Sequence, residues 1–315
     1  MSQRESDKQD VVIVGGGAAG LSTALVLARA RRRVVVVDAG EPRNEPAAHL
    51  HGFLSRDGMK PSELLSTGRE EVEGYGGRVL KTQVTGLERQ ASGEFLVHLS
   101  EDAILSARAI VVATGLKDMI PDVPGLRGQW GHTVLHCPYC HGYEVRDTPL
   151  GVLGGYAREL SLHQVQLLRQ WSADITFIPN GIVLNEDERA RMRALRVDVV
   201  DGEPVNVHGG SEQLRVELAD GRNIDLRAMF IAPQPAPQDD LLRDLGCVEA
   251  ENGWIVADAA GRTSVRGVWA VGNVVDPRAQ LITAAGAGSV LAIALNSELI
   301  EEEVAQAMRH SVSTP

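Results

Sequence analysis

Val11-Val12-Ile13-Val14-Gly15-Gly16-Gly17-Ala18-Ala19-Gly20 is the stretch whose reading decides the fold. Four consecutive β-branched apolar residues read as a strand buried on both faces. The residues that follow, Leu21 to Ala30, carry apolar side chains at helical spacing, and Val34 to Asp38 reads as a second buried strand. The sum is a β-α-β unit around Gly-x-Gly-x-x-Gly. In that context Gly15 permits the tight turn, Gly17 lets the backbone approach a pyrophosphate, and Gly20 lets the helix pack close to the sheet. The helix start then offers N–H groups and a positive dipole end to phosphates. Asp38 stands 18 residues beyond Gly20, where a carboxylate accepts hydrogen bonds from ribose hydroxyls. A glycine turn without a ligand is the alternative, and the acid disfavours it. The motif alone does not separate FAD from NAD.

Outward from this unit, residues 47–80 read as loop and helix with a turn at Gly74 to Gly77. Segments 79–88, 94–100 and 104–108 predict a small antiparallel meander, and 109–115 a buried strand ending on Gly115. A Pro-rich connector near Asp118 to Pro124 marks a boundary. A second β-α-β follows, with a strand over 150–155, a helix over 158–171 and a strand over 173–178. Residues 228–238 lead into a second Pro-rich crossing, 267–274 resume strand patterning, 281–300 form a long apolar helix, and 308–315 fray.

The 315 residues suit two domains, and 33 glycines with only 4% aromatics suit α/β architecture. A formal net charge of −11 argues against nucleic acid or an anionic membrane as partner. The sequence shows no apolar run approaching the ~20 residues of a bilayer span, and the polar start MSQRESDKQD shows no signal region. The expectation is a cytoplasmic protein.

Three cysteines are too few for a disulfide scaffold. Cys247, in an apolar setting, reads as a buried small hydrophobe. His136-Cys137-Pro138-Tyr139-Cys140-His141 is more informative. Cysteines at i and i+3 close a small reducible disulfide, and the flanking histidines are candidate bases or cationic neighbours of a thiolate. Three other readings stand beside the redox dithiol: a zinc half-site, a covalent haem site of C-x-x-C-H form, and two structural cysteines. The first lacks a second cysteine pair and the second lacks an export signal, so no metal is expected.

VVIVGGGAAGLSTA, VVATG, CPYCHGYE and GVWAVGNV with QLITAAGAGSV, in this order, resemble the low-molecular-weight thioredoxin reductases over nearly the whole chain. The resemblance implies two Rossmann-like three-layer domains. A discontinuous FAD domain spans residues 1–117 and 245–315, and a pyridine-nucleotide-type domain inserted at 118–244 carries the cysteine pair. It implies FAD as cofactor, a homodimer, and a division of labour in which Cys140 lies against the flavin and Cys137 exchanges with substrate. A flavin site in the same chain favours the redox dithiol. By the same resemblance the cofactor contacts are Gly15, Gly17, Ala18, Ala19, Gly20, Asp38, Ala39, Gly40, Arg43, Asn44, His51, Val84, Ala113, Thr114, Gly115, Gly272, Asn273, Gln280 and Leu281. The family's distal strand ends in Gly-Asp, and here it ends in Gly272-Asn273, which keeps a carbonyl acceptor.

Within the family, two features are more similar to the FAD-dependent dithiol oxidases of gliotoxin and holomycin type. One is DAGEPRN at 38–44 followed by HGFLSRDG at 51–58. The other is His141, where ordinary thioredoxin reductases have Asp. The second glycine loop, Gly151 to Glu159, points the same way. Tyr156 stands at the second motif glycine and Glu159 at the third, so a side chain crowds the pyrophosphate and a carboxylate competes for the helix N–H groups. Pro179-Asn180-Gly181 supplies no arginine for a 2′-phosphate. The expected function is therefore oxidation of a small-molecule dithiol with O2 as acceptor. An NAD(P)H- or ferredoxin-linked reductase of thioredoxin or another disulfide, and a flavin-bound redox sensor, are the alternatives. A small redox protein stands as an alternative substrate.

Overall fold

A computed structural model describes residues 8–210 and 212–312, so most of the polar start (1–7) and the last three residues of the expected frayed end lie outside it. The chain forms two compact units. The first gathers the residues through Arg43, Ser62–Lys117 and those from Pro237 on; the second gathers Asn44–Pro61 and Asp118–Ala236.

The first unit begins with β1 (Lys8–Val14), α1 (Ala18–Arg29) and β2 (Val34–Asp38), then α2 (Pro61–Gly74), β3 (Arg78–Lys81), β4 (Val84–Arg89), β5 (Phe95–Leu99) and β6 (Ile104–Val112). β1, β2, β3 and β6 are parallel neighbours in the order β3-β2-β1-β6. The apolar run of β1 is buried from Gln9 to Val14, as expected of a strand covered on both faces. The meander differs from its expected form. Residues 79–88 split into parallel β3 and antiparallel β4, and residues 104–112 are one nine-residue strand. The reason is pairing: β6 lies along β1 from Ser106 to Val112, while its other edge meets β5 through Ile104–Ala107. That edge is completed further along by a strand from the end of the chain.

After β7 (Leu116–Met119) the second unit runs through β8 (Val134–Leu135), α3 (Pro138–His141), β9 (Leu150–Leu153), α4 (Arg158–Leu168), β10 (Ile175–Ile178), α5 (Glu186–Ala194), β11 (Val197–Val199), β12 (Pro204–Gly209), β13 (Leu214–Leu218), β14 (Asn223–Leu226) and β15 (Ala228–Ile231). Its parallel sheet has the order β11-β10-β9-β15-β8, and β12-β13-β14 form a separate antiparallel sheet. Phe177, Phe230, Leu150, Leu168 and Ile175 are the bulk of its core. α5 starts on a capping box in which Asn185 and Glu188 each accept from the other's backbone N–H.

The return crossing is β16 (Gln234–Pro237), which pairs with β7; then come α6 (Asp240–Asp244), β17 (Val268–Ala270) and α7 (Leu281–Val312). The division at Ala236 lies earlier than the expected one at residue 245, because Leu242 of α6 is fully buried in the first unit's core with Val84, Val97 and Ile255. β17 takes the free part of the β6 edge, Ile110–Val112. α7 extends to Val312 rather than fraying from residue 308. Contrary to the expectation of no such run, α7 is long and apolar enough by length and composition to cross a membrane. Its apolar content has a local reason. Ala284, Leu291, Ala292, Leu295 and Leu299 sit in the same core as Leu21, Ala24 and Leu27 of α1. The two helices approach at Gly288, whose carbonyl accepts from Thr23 Oγ1 at 3.1 Å.

Candidate active site

The first glycine loop has one open side. A side chain on Gly15, at φ +107°, would stand 2.4 Å from the Ala113 carbonyl, and one on Gly20 would stand 2.0 Å from the Gly15 carbonyl. At Gly17 nothing lies within 4 Å of such an atom. The loop is thus compressed against β6 and α1 and bare where a phosphate would approach. Ala18, Ala19 and Gly20 form the first turn of α1, whose N–H groups have no partner inside the helix. Gly16 was not among the expected contacts, yet a side chain there would strike the Asp38 carboxyl at 2.6 Å. Asp38 is held at the end of β2 by the Gly40 N–H (3.2 Å) and by Arg69 Nη2 (3.3 Å). Arg69 on α2 is a partner that no motif announced. Bare backbone, a helix N-terminus and a fixed carboxylate together fit the pyrophosphate and ribose of a dinucleotide.

The remaining expected contacts of this unit gather in two knots. Ala113, Thr114 and Gly115 follow β6. Thr114 Oγ1 donates to the Gln238 carbonyl at 2.5 Å, and Gln238 Nε2 donates to the Thr114 carbonyl at 2.7 Å. Gln238, also missed, therefore fixes this strand end. Gly272 follows β17 at φ +78°. Asn273 donates to the carbonyls of Asp276 (2.9 Å) and Ala279 (3.0 Å), and its Oδ1 accepts from Arg43 Nη1 at 3.3 Å. The amide thus shapes the loop that delivers Gln280 and Leu281 to the start of α7. Val84 has its side chain in the core, and Ala39 and Gly40 form the turn after β2. Asn44 and His51 group with the second unit rather than with this loop.

In the second unit, Cys137 and Cys140 are disulfide-bonded with Cα atoms 5.2 Å apart. Cys137 is the extended N-cap of α3, Pro138 opens the helix, and one turn later Cys140 falls within bonding range. This bond excludes two metal-ligand thiolates in this state, and among the described residues no cluster of metal-ligating side chains forms. Tyr139 meets Trp171 edge-on at 5.7 Å between ring centres. Gly142 makes room for that stacking, since a side chain on it would lie 2.8 Å from the indole. His136 is tied down twice. Gln164 of α4 donates to its carbonyl at 2.6 Å, and its Nδ1 lies 3.3 Å from the Ile231 carbonyl at the end of β15.

His141 is half-buried, and burial holds its pKa below the ordinary imidazole value. The Glu144 carboxylate pulls it back up, while His51 and His136 push it further down. At neutral pH His141 is an unprotonated ring and can accept a proton. Its neighbours continue outward: His51 Nε2 lies 3.6 Å from Glu144 Oε1, and His51 Nδ1 lies 3.3 Å from Asp57 Oδ2. Glu144 and Asp57 escaped sequence reasoning because segment 44–61 meets the cysteine turn only in the folded unit. Cys247 is buried in the first unit as expected, with its thiol pKa raised by burial.

Polar groups around the second glycine loop are engaged within the chain. A side chain on Gly154 would stand 2.0 Å from the Pro179 carbonyl, and Asn180 Nδ2 donates to the Gly154 carbonyl at 2.9 Å. Arg158, the cation at the start of α4, is clamped by both oxygens of Glu188 at 2.8 Å and touches the Val183 carbonyl. Glu159 occupies the first turn of α4, and Tyr156 is largely exposed at the loop.

Residues 9–288 match the family model described as pyridine nucleotide-disulphide oxidoreductase. The chain is 30% identical to the thioredoxin reductase aclD of Aspergillus oryzae, over 94% of this chain and 98% of that one. Among solved structures it superposes on the crystal structure of HlmI with TM-score 0.94 and 50% identity, covering 98% of this chain and 97% of the other. The crystal structure of TrxB from Bacillus anthracis matches with TM-score 0.89 and 31% identity, covering 93% of this chain and 99% of the other.

Proposed function

We propose, for a chain that belongs to the pyridine nucleotide-disulphide oxidoreductase family, that Cys137–Cys140 oxidises a small-molecule dithiol to its disulfide with dioxygen as final acceptor. The chain is a thiol-disulfide oxidoreductase, and its cofactor is FAD. The observation that carries the direction is the second glycine loop. Both oxygens of Glu188 hold Arg158 and the Asn180 Nδ2 donor is spent on the Gly154 carbonyl, so a nicotinamide nucleotide would have to displace internal partners to gain these donors for its phosphates. Electrons then enter from the substrate.

A substrate thiolate attacks Cys137 Sγ; the Cys137–Cys140 bond breaks, a mixed disulfide forms, and Cys140 leaves as thiolate. The second substrate thiol gives its proton to His141 or His136 and attacks the substrate sulfur of the mixed disulfide. The product disulfide closes, Cys137 is released, and two electrons now reside on the dithiol pair. His141 fits the base role better, because its ring is held neutral while the His136 ring faces the Ile231 carbonyl. The Gly15–Gly20 loop, Asp38 and the Gly272–Leu281 loop would hold FAD, which when bound would supply a two-electron acceptor for the reduced cysteine pair, with O2 as the final acceptor. The family resemblance extends the proposal to a homodimer, and the sequence reading extends it to the cytoplasm.

The test is aerobic turnover. Flavin-loaded protein given dithiothreitol should take up oxygen with no nicotinamide added. No uptake, together with rapid bleaching of the flavin by NADPH, would overturn the oxidase direction in favour of a reductase.

A further inference from the structure

α4 packs against the strand end that leads into the cysteine turn: Leu162, Val165 and Leu168 share a core cluster with Leu135 of β8. Gln164 lies in the same helix with only 5% of its surface exposed. Its Nε2 donates to the His136 carbonyl at 2.6 Å. That contact orients the amide, since only the nitrogen end can face a carbonyl, and the other end is the acceptor Oε1. Among the described residues, Oε1 is buried and has no hydrogen-bond partner. An unmet buried acceptor is destabilising, and a methionine of similar shape would avoid it. The donor end is therefore what this position supplies. The carbonyl it holds belongs to the peptide group whose nitrogen is that of Cys137. On the far side of the same residue, the Cys137 carbonyl accepts from the Cys140 N–H at 3.1 Å and the His141 N–H at 3.2 Å. The two peptide groups flanking the Cys137 Cα are thus fixed, one from α4 and one by the turn of α3. When the disulfide opens, its crosslink no longer holds Cys137, but the Gln164 contact is made to backbone and does not depend on that bond.

We propose that Gln164 is a positioning residue for Cys137: it fixes the peptide group before the exchanging cysteine, so that Sγ stays in line for a substrate thiolate. In that step the substrate sulfur gives an electron pair to Cys137 Sγ. The new S–S bond forms as Cys137–Cys140 breaks, and Cys140 leaves with the pair as thiolate. Attack in line with the breaking bond depends on where the Cys137 backbone holds its sulfur, and small displacements of a reacting atom are costly in rate. The inference rests on the reading of Cys137 as the cysteine that exchanges with substrate, and it holds for either direction of electron flow.

The test is anaerobic bleaching of flavin-loaded protein by dithiothreitol, followed against dithiothreitol concentration. The slope at low concentration reads attack on the disulfide, and the plateau reads the later steps. Gln164→Met keeps the volume and removes the donor. Its slope should fall by about tenfold, the scale of one lost hydrogen bond, while its plateau and thermal midpoint stay close to the parent's. Gln164→Glu should restore most of the slope at neutral pH, because burial raises a carboxyl pKa and the protonated acid keeps a donor in the same place. A parent slope in Gln164→Met overturns the proposal, as does a Gln164→Glu slope as low as that of Gln164→Met. Slope and plateau falling together with an early melt in both variants also overturn it, because a merely structural amide behaves that way. Cys137→Ser reads the premise by itself: bleaching that survives it removes Cys137 as the exchanging cysteine, whatever the Gln164 variants do, so the two failures are distinct.

Discussion

At Cys137 a serine keeps the size of the side chain but cannot bond to Cys140. Cys137→Ser should abolish thiol-dependent oxygen uptake and leave FAD bound to the purified protein, because the first glycine loop and the Asp38–Arg69 pair do not depend on the cysteine bond. His141→Ala should slow turnover on the order of 10²-fold, the usual worth of a general base. An unchanged rate would take His141 out of the reaction. The pH dependence has a fixed sign. Burial lowers the His141 pKa, so the neutral, proton-accepting ring persists below the ordinary imidazole midpoint of about 6.5. Activity should hold as pH falls past that point and drop only as pH passes through the lowered value, which a pH–rate profile reads directly. At this scale the cysteine pair, His136 and His141 were legible because they are contiguous. Asp57, Glu144 and Gln164 were not, because their meaning comes from neighbours in space.

Among the elements, α1 is constrained on two sides of its first turn. Gly20 lies against the Gly15 carbonyl, where an added methyl would stand at 2.0 Å, and backbone cannot swing aside as a side chain can. Gly20→Ala should therefore spread the loop and lower the flavin-to-protein absorbance ratio of the purified protein. On the opposing helix, a methyl on Gly288 would stand 2.3 Å from the Ala19 carbonyl. Gly288→Ala should cost about 1–3 kcal/mol, as overpacking does, and lower the thermal midpoint by several degrees. A melt superimposable on the parent's would show that α7 can shift without loss. The Gly-x-Gly-x-x-Gly spacing exposed the first contact to sequence reading. Nothing marked Gly288, since its role depends on which helix α7 meets.

For the whole molecule, the two units carry separate cores: Trp269, Phe95 and Leu27 are buried in one, Phe177, Phe230 and Leu168 in the other. A ligand that binds only the folded chain stabilises it by about 4 kcal/mol at a thousandfold excess over Kd. Stripping the flavin should therefore lower the thermal midpoint; a melt superimposable on that of the loaded protein would count against FAD as a resident cofactor. The sequence by itself determined the two β-α-β units, the dinucleotide loop, the cysteine turn and the altered second loop. Each is written in contiguous residues, where local periodicity and glycine spacing act. Only the tertiary structure decided that β6 is one strand serving three neighbours, that residues 44–61 join the cysteine-bearing unit, and that Glu188 and Asn180 engage polar groups around the second loop. Those outcomes depend on which surfaces bury each other and which charges meet, and pairs such as Arg158 and Glu188, thirty residues apart, find each other only once the sheet between them has formed.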